Sequence, residues 1–373
     1  MTSITRRRRT LGLLVAAAVL AAPAAAQDST KAEFKPTWNF EAWLFGTFTY
    51  QVDSAARAAN NGAAYSKFTV DRAYLTFLGR VAPDFGFRVT TDVKMLPANN
   101  VYSGLIIRLK YAYMEWDFLH AKTATDWSAW ARIGQIHTVI IEEEEHFWPR
   151  WIQKTALEYW ALQPGAADLG ASAQFILPGK WGAAYLTIAN GGGYQVAADQ
   201  DRYKDVATRF SLTPLGKAAG YWKRLEVTPW IQVGRTQSTG ATPVGLENNA
   251  GGIFLGDSDP RLSFGVEYAE RQFQTMPATT VVTTTAKVYD GFVSVRPSLF
   301  FDPHGVPWGI LLRGDHFLEN EGGAAYRTLA LGGVFLDVAK NSSFAITYQI
   351  DAGHDGSTPP DLAIWQLNWQ LTF

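Results

Sequence analysis

The stretch IWQLNWQLTF (residues 364–373) alternates large apolar side chains with amides and a hydroxyl. A β-strand turns successive side chains to opposite faces. One face would carry Trp365, Leu367, Trp369, Leu371 and Phe373. The other would carry Gln366, Asn368, Gln370 and Thr372. Such a strand needs an apolar environment on one side and water on the other.

The beginning of the sequence has the three parts of a secretory signal. In MTSITRRRRTLGLLVAAAVLAAPAAAQ (1–27), a basic region at 6–9 precedes an apolar region at 11–20 and an A-x-A site at 24–26. The apolar region is about half the roughly 20 residues that a membrane-spanning helix needs. We therefore expect a signal peptide over 1–26, cleaved before Gln27, and an exported domain over 27–373.

Composition excludes several kinds of function. The full chain has 33 Lys and Arg against 34 Asp and Glu, and loss of the four arginines of the signal leaves a net charge of −5. No strong basic field remains for binding nucleic acid. There are no cysteines, which excludes disulfides, zinc–thiolate sites and thiol nucleophiles. No motif predicts a cofactor or a metal.

Alternation recurs in FGFRVTTDVKM (85–95), DVATRFSL (205–212), RLSFGVEY (261–268), WGILLRGD (308–315) and FAITYQID (344–351). The apolar positions are rich in aromatic and β-branched residues, which strands prefer. Short turn-like links alternate with longer polar links. The short ones are APD (82–84), LPGK (177–180), DSDP (257–260), DPHG (302–305) and AKNS (339–342). This pattern is typical of a transmembrane antiparallel β-barrel.

The pattern predicts fifteen strands, and we expect a sixteenth because bacterial barrels have an even strand number. The segment GLENNAGGIFLG (245–256) supplies it. The others are predicted at 38–50, 67–81, 84–96, 104–118, 126–137, 168–177, 180–190, 203–213, 223–236, 260–271, 286–301, 306–318, 326–338, 342–353 and 361–373. A barrel of sixteen strands is wide enough to hold water.

Several segments together resemble the phosphate-selective porin O/P family. They are FTVDRAYLTFLGRVAPDFGFRVTTDVK (68–94), YAYMEWDF (111–118), ARIGQIHT (131–138), DLGAS (168–172), TIANGGGY (187–194) and the terminal Phe373. The resemblance implies a sixteen-stranded channel in the outer membrane of a Gram-negative-type bacterium. It also implies a homotrimer and an inward-folded third outer loop that constricts the pore. Passive diffusion of small hydrophilic solutes or ions would then be the function.

The longest connection, between the strands near 137 and 168, is the expected constriction loop. Phosphate-selecting members of the family line the pore with arginines and focus anions on lysines at the constriction, whereas this loop reads VIIEEEEHFWPRWIQK (139–154). Glu142, Glu143, Glu144 and Glu145 make one helical turn and spread around its axis. We expect one or two of them to face the lumen and the others to pair with basic wall residues or to face solvent.

Charged residues on the early strands are predicted to line the wall opposite this loop. They are Arg72, Arg80, Arg88, Asp92, Lys94 and Arg132. The two sets would create a transverse field with a weak cation preference, motivated by the net charge and the loop acids. Alternatively, the arginines only stiffen the barrel by pairing with Asp71, Asp92 and Glu267. In strand 104–118, either Arg108 and Lys110 or Tyr111, Tyr113 and Glu115 face inward.

Two other functions remain open. An outer-membrane barrel enzyme of lipase or protease type could place His354 and nearby aspartates on the last outer loop, and a structural or adhesive barrel would need no pore. His146 beside the four glutamates could also mimic a metal site, but no second histidine lies near it. The expected partners are therefore outer-membrane lipid, small solutes or ions, and copies of the same chain.

Overall fold

The computed structural model describes residues 34–96, 104–123, 126–163, 165–195, 201–238, 243–277, 279–301, 307–357 and 360–373. The predicted signal peptide (1–26) and the predicted turn at 302–305 lie outside the described residues. Within these ranges, no helix combines the length and the apolar character needed to cross a bilayer.

Sixteen strands, β1 to β16, make up the sheet of the described chain. Their bounds are Thr37–Gln51, Tyr65–Ala82, Phe85–Leu96, Gly104–Leu119, Ser128–His137, Ala167–Leu177, Gly182–Ala189, Asp205–Leu212, Glu226–Gln237, Gly245–Ser258, Leu262–Thr275, Val282–Val295, Trp308–Leu318, Tyr326–Ala339, Ser342–His354 and Leu362–Thr372. Four short helices, α1 to α4, lie at Ser54–Ala59, Ile141–Glu144, Ala156–Tyr159 and Ser298–Phe301. Short 3₁₀ turns lie at Pro178–Lys180 and Tyr221–Arg224.

Each strand pairs antiparallel with its neighbours in the chain, and β1 closes the ring on β16. The closing register runs from Trp43 opposite Thr372 to Gln51 opposite Ile364. The predicted fold class and the sixteenth strand at 245–256 are thus confirmed. One predicted strand, 286–301, is misplaced: β12 ends at Val295, and α4 follows Pro297. Proline lacks the N–H that would continue the ladder.

Side chains alternate across the wall as the sequence predicts. In β15, Phe344, Ile346 and Ile350 are exposed on the outside, at 40 to 53 % of their surface. Between them, inward-facing residues such as Thr347 and Gln349 are buried. Because the same pattern recurs around the ring, the outer face is a continuous apolar surface. A surface of this extent indicates contact with lipid rather than water.

A β-bulge adds one residue to a strand, so that two neighbouring residues of that strand can both face inward. Thr90 of β3 lies opposite Tyr111 of β4, whereas Thr91 lies opposite Leu109, so Lys110 is the extra residue. Such a residue shifts the alternation by one position. Both alternatives for strand 104–118 therefore face inward, on either side of the bulge. They are Arg108 and Lys110, then Tyr111, Tyr113 and Glu115.

An apolar core lies inside the barrel, beneath the link between β5 and β6 (138–166). In one cluster, Phe147, Trp148 and Trp151 of this link pack on wall residues that include Phe254 and Phe292. A second cluster joins residues at both ends of the link to the inner faces of β8 to β12. The link thus lies within the barrel and covers a large part of its inner wall.

Candidate functional site: two charged chambers and a buried layer

Two cavities line the inner face of the first strands. We call the end of the barrel with Thr37 and Phe373 the turn end, and the opposite end the loop end. A cavity of about 670 Å³ opens at the loop end, between β1 to β3 and the inner loop 138–166. Another, of about 420 Å³, opens at the turn end of β1 to β5. We name them the loop-end chamber and the turn-end chamber.

Cationic side chains predominate in both chambers. The loop-end chamber is lined by Lys67, Asp71, Arg72, Lys94, Arg150 and Lys154 among its charged residues. The turn-end chamber is lined by Arg80, Arg88, Glu115 and Arg132. Each chamber therefore has one acidic residue against several basic ones. The inward face of β2 to β5, which alternation and the bulges fill with basic residues, supplies most of them, and the inner loop supplies Arg150 and Lys154.

A buried layer separates the chambers along the same strands. On β3, for example, Lys94 lines the first chamber and Arg88 the second, so Thr90 and Asp92 lie between them. The layer consists of Tyr74, Thr76, Thr90, Asp92, Lys110 and Tyr111. Each of these is less than one tenth exposed. Along the β2 to β4 wall, this layer is the least exposed part between the two chambers.

Ion pairs and ring contacts fix the layer and its neighbours. Arg72 Nη1 lies 2.5 Å from Asp92 Oδ2, which also accepts a 2.9 Å hydrogen bond from the Tyr194 hydroxyl. Lys110 Nζ lies 4.2 Å from the centre of the Tyr74 ring and 5.1 Å from that of Tyr111. Cation–π contact of this kind stabilises a buried ammonium group. A positive charge is thus held within the buried layer against two aromatic rings.

Two of the four loop glutamates pair with identified basic side chains of the wall. Glu142 Oε2 lies 2.6 Å from His137 Nδ1, and its other oxygen lies 3.9 Å from Arg88 Nη1. Glu143 lies 2.5 Å from Arg209 Nη2 of β8. The Glu142 side chain keeps about a third of its surface exposed, the largest fraction among the glutamates in these ion pairs.

The other two glutamates pair within the loop or face another carboxyl. Glu145 pairs within the loop, 3.2 Å from Arg150, which also pairs with Glu158 at 3.1 Å. Glu144 is 3 % exposed and faces Glu267 of β11. Burial is the main cause that raises the pKa of Glu144 to about 7. For Glu142, burial acts in the same direction, but its interactions with His137 and Arg88 outweigh burial and lower the pKa below its ordinary value.

The predicted basic wall residues all lie on the inner face, and each has a partner. Arg88 stacks 4.7 Å from the Tyr111 ring and reaches Glu142. Arg132 donates to Glu115 at 2.8 Å. Lys94 and Arg108 both donate to the amide oxygen of Gln195, at 3.0 and 3.2 Å. Arg80 donates to Asp117.

Sequence reasoning missed the residues that hold the inner loop on the far wall. Arg313 donates to Asp315 at 2.6 Å and to the Lys154 carbonyl at 2.5 Å. Trp160 also donates to Asp315, at 2.8 Å. In WGILLRGD (308–315), alternation puts Arg313 and Asp315 on the polar face. It carried no signal that this face would be covered by a loop more than 140 residues earlier in the chain.

The groups considered for catalysis are not assembled into a site. His354 contacts the Thr328 hydroxyl at 3.2 Å, and Asp361 accepts from the Gly353 N–H. Across the ranges that the structure covers, no three His, Asp or Glu side chains are arranged to hold a metal ion. The candidate site therefore consists of the chambers and the buried layer.

No family model and no curated protein sequence matches the chain. Solved structures do. An anion-selective porin from Comamonas acidovorans aligns with a TM-score of 0.62 at 9 % identity, over 91 % of this chain and 100 % of that one. The outer membrane channel DcaP of Acinetobacter baumannii aligns with a TM-score of 0.59 at 11 % identity, over 92 % and 99 %.

A third similar structure is Salmonella typhi OmpF in complex with daunomycin, with a TM-score of 0.57 at 11 % identity, over 90 % and 97 % of the two chains. The fold is that of the outer-membrane porins. At these identities the likeness concerns the course of the backbone. The charge of the lumen and the solute preference depend on this chain's own side chains.

Proposed function

We propose that this protein is a passive channel for small hydrophilic solutes or ions in the outer membrane of a Gram-negative-type bacterium. One observation carries the proposal: a closed ring of sixteen strands exposes apolar side chains outward and encloses two charged chambers. An apolar band around a polar lumen is the arrangement that transmembrane barrels require. No bond is made or broken in this function.

The same proposal covers the assembly and the export of the chain. A signal peptide over 1–26 would direct it across the inner membrane, and 27–373 would form the barrel. We propose a homotrimer, supported by the apolar outer face, which can pack against copies as well as lipid. The segments that resemble the phosphate-selective porin O/P family support a place in or near that family, and the porin fold of the similar structures is consistent with it.

The positions of the charges favour the passage of anions, whereas the net charge alone favours a weak preference for cations. Three of the four loop glutamates are nearly enclosed, by Arg209, Arg150 or Glu267. The basic residues of β2 to β5 line the chambers on both sides of the buried layer. A permeating ion that follows this wall therefore meets mainly positive charge. We propose a modest anion preference with no commitment to phosphate.

Planar-bilayer recording of the purified protein tests the proposal. Steady, stepwise openings with a linear current–voltage relation are expected. Across a potassium chloride gradient, the reversal potential should have the sign of chloride preference. If no openings occur while lipid or peptide is hydrolysed, the barrel is an enzyme. Absence of both currents and hydrolysis would favour a structural barrel.

A further inference from the structure

Two contacts between the inner loop and the barrel wall join acidic side chains to each other. The Glu143 carboxyl contacts that of Glu226, at the start of β9. The Glu144 carboxyl contacts that of Glu267, in β11. Both loop residues belong to α2, so one helical turn contacts two carboxyl groups of the wall. Like charges at a docking interface oppose docking unless a cation or a proton intervenes.

The first contact has a cation. Arg209 lies 2.5 Å from Glu143 and also donates to the Val139 carbonyl at 2.6 Å. The guanidinium group can thus neutralise one carboxylate of the Glu143 and Glu226 pair at any ordinary pH, because arginine stays protonated. Because the two carboxyls are in contact, protonation of Glu226 also favours docking, and the test below uses a reference variant that keeps this pair.

The second contact lacks a free cation. The charged groups around Glu144 and Glu267 are Glu145 on the same turn, Asp290 of β12, and Arg313 and Asp315 of β13. Arg313 is already bound to Asp315 and to the Lys154 carbonyl. Within the described chain, neither Glu144 oxygen has a hydrogen-bond donor in bonding geometry, and nor does Oε1 of Glu267.

The Thr155 hydroxyl and the Trp230 indole N–H are neutral donors beside Glu144 and Glu267, and neither neutralises a charge, so a proton is the way to relieve the repulsion of this pair. Two carboxyl groups in contact can share one proton, and the protonated group then donates to the ionised one. Both side chains are more than nine tenths buried, which makes a second negative charge there costly. The docked loop therefore retains a proton that it would lose in water.

We propose that the Glu144–Glu267 contact is a proton-dependent latch, which holds the inner loop on the β9 to β13 wall in acid and weakens as pH rises. The proposal rests on the proposed channel function for its consequence, because this loop borders the route between the chambers. Release of the latch would weaken the attachment of the loop around α2, while the Arg209, Arg313 and apolar contacts remain. Current through the channel would then depend on pH.

The sign and the pH range follow from linkage. The docked environment raises the pKa of Glu144 from 4.5 to about 7. Docking is therefore strongest below about pH 4.5, and its equilibrium constant falls as pH rises towards about 7. A difference of about 2.5 in pKa corresponds to a fall of roughly 300-fold in the docking constant.

A single cysteine can report docking, because the chain has none of its own. Ala156, in α3, is 4 % exposed and lies in the core under the loop. The Ala156→Cys protein would be inserted into liposomes, and its cysteine would be labelled with a water-soluble maleimide between about pH 4.5 and pH 8. The same variant with Glu144→Gln is the reference at each pH, so that the changing reactivity of the thiol cancels.

We divide the labelling rate of the Ala156→Cys protein that keeps Glu144 by the rate of its Glu144→Gln reference. This ratio is expected to be close to one at about pH 4.5 and to exceed ten at about pH 8, because the glutamine keeps a donor for Glu267 at every pH. Glu267→Gln should act as Glu144→Gln does. Glu142→Gln should leave the pH dependence in place, since Glu142 faces Arg88 and His137. A ratio that stays near one across the range would overturn the latch.

Labelling needs no current, so this result is separate from the proposed function. A barrel that never conducts could still show the pH-dependent ratio, and the channel function alone would then fail. Conversely, steady openings together with a constant ratio would leave the channel function intact and reject the latch.

Discussion

Replacing Glu142 by glutamine should increase the preference of the channel for anions. Glu142 keeps about a third of its surface exposed and lies 3.9 Å from Arg88, which lines the turn-end chamber. An ion in contact with the far side of Arg88 is about 8 Å from the Glu142 carboxylate. Two unit charges interact by about 0.5 kcal/mol at that distance in water. The interaction is repulsive for an anion and attractive for a cation.

Loss of this charge thus changes the difference between the two ions by about 1 kcal/mol, which is roughly a fivefold change in permeability ratio. Reversal potentials in a potassium chloride gradient measure it, at low salt because screening acts over about 8 Å at physiological ionic strength. Glu321→Gln is the matched control, since Glu321 lies on the link between β13 and β14 and pairs with Lys287 of β12. An unchanged ratio in Glu142→Gln, or an equal change in the control, would refute the reasoning.

Two further substitutions test the wall and the anchor of the loop. Gly134→Ala should lower the refolding yield in detergent, because Gly134 has φ of +127° and a Cβ would overlap the backbone of β4; Gly314→Ala, which meets no atom nearer than 3.9 Å, should refold normally. Arg209→Met should lower the free energy of unfolding in urea by about 3 kcal/mol, since it leaves Glu143 in a mostly buried site without its cation. Arg235→Met, in an exposed pair, should cost at most about 1 kcal/mol. Equal effects within either pair would contradict the assigned contacts.

Alternation was enough to predict the fold because the two faces of every strand meet different solvents. A lipid-facing position must be apolar, so period two survives along each strand, as in 344–351 and 364–373. Parity then required a strand at 245–256, and the structure confirms β10 there. The error at 286–301 arose where an apolar run continued past Pro297 into α4, and hydrophobicity alone did not show that the ladder had ended.

The interior was less predictable for a physical reason. The bulge at Lys110 inserts a residue without any change in composition, so no pattern indicates that Lys110 and Tyr111 both face inward. The partners of the loop acids lie on strands far away in the chain, such as Arg209 in β8 and Glu267 in β11. Contacts of that kind depend on how the loop crosses the lumen. Local periodicity does not contain that information.

The central claim is that one face of each strand meets lipid and the other lines an aqueous lumen. Adjacent residues of β3 test it directly: Arg88 lines the turn-end chamber, whereas Val89 points outward. Each would be replaced by cysteine in the cysteine-free chain, inserted into a bilayer and exposed to a bulky, water-soluble thiol reagent. We predict that Arg88→Cys is modified with a fall in conductance, while Val89→Cys stays unmodified. Modification of Val89→Cys with Arg88→Cys protected would contradict the account.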